Sequence, residues 1–187
     1  PKGYKRAVLV FDGAMSQPVV TVNGKEAGKW AYGYNAFRID ITPFIQFGKK
    51  NLIEVHLNNV EESSRWYPGG GLYRPVSVEL YGNENFSTWD TFVRTLKADK
   101  QEAEVEVNAL LEGKAGKSGK TVIALLDEAG KKVAEQTVSG ATPVVKTTLK
   151  VANPQLWSPE SPYLYQVKLT RYEGKKVADV QTLKTGI

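Results

Sequence analysis

Apolar residues in this chain recur at every second position, in short runs, and no stretch carries a helix-spaced apolar stripe of useful length. Val19–Val22, Ala36–Ile41, Asn51–Leu57 and Ala103–Leu111 are such runs. A period of two places alternate side chains on opposite faces of an extended strand, so each run has one face to bury. Turn-forming residues separate the runs. The clearest is Asn23–Gly24 between Val19–Val22 and Lys25–Gly28, a dipeptide that favours a two-residue type I′ hairpin because both central positions need positive φ. The expectation is an all-β chain built of sandwiches.

In the first half, Ala7–Phe11 reads as a buried strand, followed by the turn Asp12–Gly13. Trp30, Tyr32, Tyr34 and Phe37 crowd the segment around Gly33, and Thr42–Pro43 ends the next strand, with a single helical turn expected over Pro43–Phe44–Ile45. The stretch Ser63–Ser64–Arg65–Trp66–Tyr67–Pro68–Gly69–Gly70–Gly71–Leu72–Tyr73–Arg74–Pro75–Val76 lies between the strand-like runs Asn51–Leu57 and Val76–Tyr81. Proline lacks the donor a central strand needs and glycine has no side chain to pack, so this stretch must be a loop. Loops rich in aromatics and arginine are where β proteins keep binding surfaces. The competing reading is a tight turn with Tyr73 and Arg74 packed for structural reasons.

Asn83–Thr88 is polar and turn-like, and the expected boundary falls there, giving domains 1–86 and 87–187. The first reads as a sandwich of about six strands, incomplete at its amino-terminal end. The second shows seven runs: Thr91–Leu96, Ala103–Leu111, Thr121–Leu126, Val133–Val138, Val145–Val151, Tyr163–Arg171 and Val177–Leu183. Seven short strands in about 100 residues are the pattern of an immunoglobulin-like sandwich. Within it, Asn153–Pro154–Gln155–Leu156–Trp157–Ser158–Pro159–Glu160–Ser161–Pro162 reads as a rigid loop in which Trp157 plugs one end, with Tyr163 and Tyr165 on one face of the strand beyond.

Several function classes fall away on composition. The chain has no cysteine, which removes disulfides, thiolate nucleophiles and Cys-ligated zinc. Its single His56 lies on a strand-like run with no nearby partner and reads as a surface residue, so neither a triad nor a His-cluster metal site is expected. The net charge of +5 is spread evenly: residues 1–88 hold 10 Lys+Arg against 8 Asp+Glu, and residues 89–187 hold 15 against 12. That distribution gives no basic stripe for nucleic acid. No run approaches the roughly 18 apolar residues of a membrane span. An opening without Met that leads almost directly into a strand reads as a mature or excised piece. The native compartment is not legible, with a periplasmic or extracellular parent favoured.

Taken together, the long motifs resemble glycoside hydrolase family 2, most closely its β-galactosidase members. Phe11–Ser16, Val22–Lys25, Gly33–Tyr34, Phe37–Thr42 and Ser64–Arg74 are similar to that family's jelly-roll "sugar-binding" domain. Asn153–Pro159 and Pro162–Tyr165 are similar to the hallmark of its immunoglobulin-like second domain. The resemblance implies a jelly-roll-like sandwich followed by an immunoglobulin-like one. It also implies a parent whose two catalytic glutamates sit on a following (β/α)₈ barrel, the covalent partner of this piece. The chain stops at Thr185–Gly186–Ile187, about where the link into that barrel would begin. No acid here is expected to be catalytic. Glu61–Glu62 is the tempting pair, but adjacent side chains point opposite ways, and both read as surface charges.

What the resemblance implies, then, is a non-catalytic fragment of a retaining β-galactosidase, inactive alone, that supports the barrel and borders the pocket for a terminal β-galactoside. Arg65 would donate to sugar hydroxyls or orient a carboxylate, and Trp66 or Tyr67 would offer a ring face to a pyranose. Tyr73, Arg74 and Trp157 are assigned to structure. No metal or cofactor is expected in this chain. The alternative is a free-standing carbohydrate-binding module.

Overall fold

The computed structural model describes the chain except for residues 1–2, 64, 67–68, 114–118 and 141. Among the described residues it has fourteen strands and no helix. They divide into two units, Pro1–Gly82 and Asn83–Ile187.

The first unit holds β1 (Arg6–Phe11), β2 (Val19–Val22), β3 (Lys25–Lys29), β4 (Phe37–Asp40), β5 (Ile53–His56) and β6 (Val76–Tyr81). They form two three-stranded antiparallel sheets, ordered β4-β1-β6 and β3-β2-β5. Ala7, Leu9 and Phe11 from one sheet meet Val20 and Val22 from the other, and Phe37 and Ile39 complete a shared core. Phe11 and Phe37 stack with ring centroids 4.6 Å apart. Asn23 (φ 52°) and Gly24 (φ 77°) both take the positive φ that the hairpin between β2 and β3 requires. The Asn23 side chain extends that turn: its amide donates to Phe44 O (2.8 Å) and its oxygen accepts from Leu52 N (3.0 Å). The segment after β4 closes as a hydrogen-bonded turn, Phe44 N to Ile41 O (3.0 Å), and does not extend into a helix.

The outer face of β1 is apolar too, and long polar side chains roof it. Val8 and Val10 are buried. In register with them on the flanking strands stand Asp40, Glu79 and Arg38. Arg38 pairs with Glu79 and also donates to Tyr81 Oη (2.8 Å), while Arg6 Nε bonds Asp40 Oδ2 at 2.7 Å. Burial pushes the Asp40 carboxyl up, but hydrogen bonds from Thr42 and Arg6 outweigh it and hold Asp40 below its ordinary value. Glu79 behaves alike: burial raises it, and bonds from Arg38 and Tyr81 bring it below the ordinary value.

The second unit holds β7 (Glu84–Phe86), β8 (Phe92–Ala98), β9 (Glu102–Gly113), β10 (Gly119–Leu126), β11 (Lys132–Ser139), β12 (Val144–Ala152), β13 (Tyr165–Glu173) and β14 (Lys176–Thr185). One sheet runs β11-β10-β13-β14; in the other, β9 lies between β12 and the pair β7 and β8. All pairings are antiparallel. Alternate residues of β9 (Ala103, Val105, Val107, Ala109, Leu111) face Ile123 and Leu125 of β10 and Val167 and Leu169 of β13 across one core. All seven expected strands are present, and β7 is an eighth. Because Glu84–Phe86 pairs with Leu111–Gly113, residues 83–86 belong with the second unit, and the division falls after Gly82, ahead of the expected 86/87 boundary. Gly113 (φ 95°) permits that pairing, since a Cβ there would lie 2.1 Å from Asn83 O.

Two side chains depart from expectation in this unit. Trp157 is not a plug, because it remains 48% exposed. Its ring rests against Gly186, and its backbone N–H donates to Ile187 O (2.6 Å). The proline-rich loop is instead anchored through the neighbouring tyrosines, which meet edge to face at 5.0 Å. Tyr165 Oη accepts from Gln155 N (2.7 Å) and Tyr163 Oη from Glu128 N (3.1 Å). The other departure is Arg171, which continues the inward-facing series Tyr165, Val167, Leu169 and is 1% exposed. Its guanidinium bonds Glu84 (2.7 Å), itself 1% exposed, with Thr121 Oγ1 at 3.5 Å and Gly140 O at 3.3 Å. Gly119 leaves it room, for a Cβ there would fall 2.0 Å from Arg171 Nη2.

Candidate functional site: an aromatic cleft in the first unit

The loop that precedes β6 is pinned to the segment that follows β1. Met15 and Gly71 exchange both backbone hydrogen bonds at 3.0 Å, and Asp12 N donates to Pro75 O at 3.0 Å. Tyr73 and Arg74 brace this junction, as the sequence indicated. Tyr73 Oη donates to Gly33 O (2.8 Å), over a Gly13 whose Cβ would sit 2.7 Å from that hydroxyl. Arg74 Nη1 lies 3.3 Å from both Asp12 O and Tyr34 O, and its guanidinium stands 5.2 Å from the Tyr73 ring centre. Gly33 has a second role: a Cβ would meet Met15 Sδ at 2.5 Å, so only glycine lets that side chain seat there.

On this frame, a cleft of about 370 Å³ opens between the Tyr32–Tyr34 segment and the loop, lined in part by Met15, Tyr32, Tyr34, Val60, Ser63 and Trp66. Trp66 is 66% exposed, and its indole N–H donates to Tyr34 Oη at 3.2 Å. The Tyr32 and Tyr34 rings are tilted at 56° with centroids 5.6 Å apart. Among the described residues that line the cleft, no side chain is charged.

Of the three candidates from the sequence, Trp66 lines the cleft, Arg65 is exposed outside its lining, and Tyr67 lies outside the described residues. Tyr32 and Tyr34 join Trp66 there although 32 residues separate Tyr34 from it in sequence. The signal that pointed to them was the aromatic clustering around Gly33; only the fold brings that cluster to the loop.

A second, more open cleft of about 600 Å³ shares Gln17 and Ala31 with the first and is lined further by Val19, Lys29, Trp30 and His56. His56 is exposed, as expected of a surface histidine. Glu61 and Glu62 are exposed. Among the described residues, no group of His, Asp and Glu has metal-binding geometry. Among the described residues, no carboxylate lines the aromatic cleft.

The profile of Glycosyl hydrolases family 2 matches residues 86–187, more than half of the chain. The chain belongs to this family. A putative β-glucuronidase of Formosa agariphila is 37% identical over 183 residues, covering 97% of this chain and 18% of that protein. A β-galactosidase of Bacteroides ovatus is 31% identical over 187 residues, covering 96% of this chain and 22% of that protein. Among solved structures, a family 2 member from Bacteroides cellulosilyticus superposes with a TM-score of 0.88 at 35% identity, over 100% of this chain and 26% of that one. The family 2 chain therefore spans about a fifth of the length of the curated relatives it matches. Their names divide between β-glucuronidase and β-galactosidase, so the comparisons carry the family and not the narrower β-galactosidase assignment.

Proposed function

We propose that this chain is the non-catalytic leading portion of a retaining β-glycosidase that hydrolyses terminal β-galactosides, and that it supports and borders a catalytic (β/α)₈ barrel of the same polypeptide. The observation that carries this reading is family 2 membership combined with coverage of only 18–22% of the first two relatives. Retaining hydrolysis uses two carboxyl groups about 5–5.5 Å apart on either side of the anomeric carbon, and this chain is assigned neither. Its part is positioning. The Arg65–Gly71 loop borders the substrate pocket, Arg65 gives its fork of donors to sugar hydroxyls or to a catalytic carboxylate, and Trp66 or Tyr67 offers a ring face to a pyranose. Galactosides are preferred to glucuronides on the uncharged lining of the cleft beside that loop.

The test begins with the parent reading frame. A barrel with two glutamates at strand ends downstream of Ile187 is expected, and a stop codon shortly after it would sink the reading. In the full-length enzyme, Arg65→Ala is expected to lower kcat/KM on an aryl β-galactoside about tenfold or more, the loss of a charge-assisted hydrogen bond. Unchanged kinetics would mean the loop serves only packing.

A further inference from the structure

We infer that the outer edge of β6 is an interaction surface, and that in solution it pairs antiparallel with β6 of a second copy of this chain, about a two-fold axis at Val78. Sheet register and burial in the first unit define this surface, and it stands whatever the parent protein does.

The core of the first unit is enclosed at its centre and along one flank, where a Cβ on Gly28 of β3 would lie 3.1 Å from the Ile39 side chain of β4. The other flank is bounded by β5 and β6. Ile53 of β5 is in register with Val22, and Val76 and Val78 of β6 are in register with Phe11 and Leu9. Partners in register share a face of the sheet. Val22, Phe11 and Leu9 are at most 2% exposed, yet Ile53, Val76 and Val78 are 36%, 41% and 48% exposed. Side chains on the core face are thus left in water on this flank, and covering them is favourable.

The backbone of β6 offers the same edge. Asp12 N donates to Pro75 O, so Pro75 and then Ser77, Glu79 and Tyr81 turn their backbone groups toward β1. The N–H and C=O groups of Val76, Val78 and Leu80 therefore line the outer edge, where β6 has no strand partner among the described residues. Such edges are normally blunted by cations, bulges or brevity. Lysine or arginine stands on the edge strands β3, β4, β8, β11, β12 and β14, and β7 is three residues long. Neither β5 nor β6 carries a lysine or arginine, and both pair with their inner neighbours without a bulge. Of these two edges β6 is the longer, six residues against four.

A second copy fits this edge. A two-fold centred on Val78 sets Val76 against the copy's Leu80, Leu80 against its Val76, and Val78 against itself. All three outward residues then pair, and an apolar ladder continues along the core face. On the other face Ser77 meets Glu79, so no like charges are opposed. A centre at Glu79 would set that carboxylate against its own image, which is unfavourable. The product is one six-stranded sheet, β4-β1-β6 continued by β6-β1-β4 of the copy.

Sedimentation equilibrium of the 187-residue chain should show a monomer–dimer equilibrium with Kd on the order of 10 µM, in keeping with a small interface. Val78→Lys sets a charge against its own image on the axis and should weaken dimerisation at least about tenfold. Val78 is half-exposed, and circular dichroism will show whether the variant is folded. A second variant does not depend on that outcome. Val78→Cys places the only thiol of each chain on the axis, where hydrogen-bonded antiparallel residues stand about 5.5 Å apart, within disulfide reach. With copper–phenanthroline as oxidant, which takes up the two electrons as the two thiols lose their protons, most of the chain should cross-link to dimer. Ser77→Cys, displaced two residues from its own image and beyond the reach of about 7 Å, should not cross-link.

A monomer at about 200 µM would overturn the inference. So would a dimer unmoved by a folded Val78→Lys, or one that Val78→Cys fails to cross-link. Growth beyond the dimer with rising concentration would mean head-to-tail pairing of β6 with β5, and would equally overturn the two-fold form.

Discussion

The residue with most at stake is Arg171. It stands where the alternation of β13 calls for an apolar side chain, and its charge is accommodated because Glu84 arrives from β7 at 2.7 Å with both side chains almost fully enclosed. Such a pair contributes little net stability, since desolvation offsets its attraction, but breaking it leaves a buried charge without its partner. Glu84→Ala is therefore expected to lower the unfolding free energy of the second unit by about 3–5 kcal/mol. Urea denaturation followed by circular dichroism measures this. Replacing both partners together, Glu84→Leu with Arg171→Met, should recover most of the loss. Failure to recover would mean that Thr121 and Gly140, the other neighbours of the guanidinium, matter more than the charge.

At the scale of elements, the roof over β1 makes the first unit sensitive to acid. Asp40 and Glu79 both titrate below their ordinary values in the folded chain. A carboxylate depressed on folding stabilises the fold above its unfolded pKa, and that contribution is lost as pH falls through the folded value. Unfolded values lie near about 4. Stability of the first unit should thus be level from neutral pH down to about 4.5 and fall below it. An Asp40→Asn/Glu79→Gln variant should be less stable at neutral pH and show a shallower decline in acid. Thermal melts at several pH values would check both. An identical slope in the variant would assign the acid sensitivity to other carboxylates. The hairpin between β2 and β3 depends on its turn in a different way, since Asn23 ties it both to Phe44 and to Leu52. Such ties explain how a short strand pair holds its register against β5.

For the whole molecule, each unit closes its own hydrophobic core, one from residues 7–41 with their packed neighbours and the other from residues 86–169 with theirs. A core complete within a segment lets that segment fold without the rest. Residues 83–187 expressed alone should therefore melt cooperatively, whereas a broad, non-cooperative transition would show that the second unit needs the first. With no Cys in the chain, a reductant should leave either transition unmoved. The chain on its own is expected to hydrolyse neither 4-nitrophenyl β-galactoside nor the glucuronide. Turnover by the purified chain would overturn its assignment as a non-catalytic portion.

The sequence by itself determined the strands, and for a local reason. Alternation of apolar and polar residues is a property of neighbours, and Asn23–Gly24 encodes its turn through two φ angles. Its long motifs also carried the family. Other features are written in no single stretch. Glu84–Phe86 is too short to show a period, and becomes a strand only because β9 offers it a partner edge. Arg171 follows the inward alternation of its strand, but its charge marked it for the surface until Glu84 and the space above Gly119 were brought to it. The cleft shows the same division. Trp66 was evident in its loop and Tyr32 and Tyr34 in their aromatic cluster, yet their convergence depends on the Met15–Gly71 bridge and the Tyr73 bond to Gly33. Contacts between residues distant in sequence are made by packing, and only the tertiary structure could decide them.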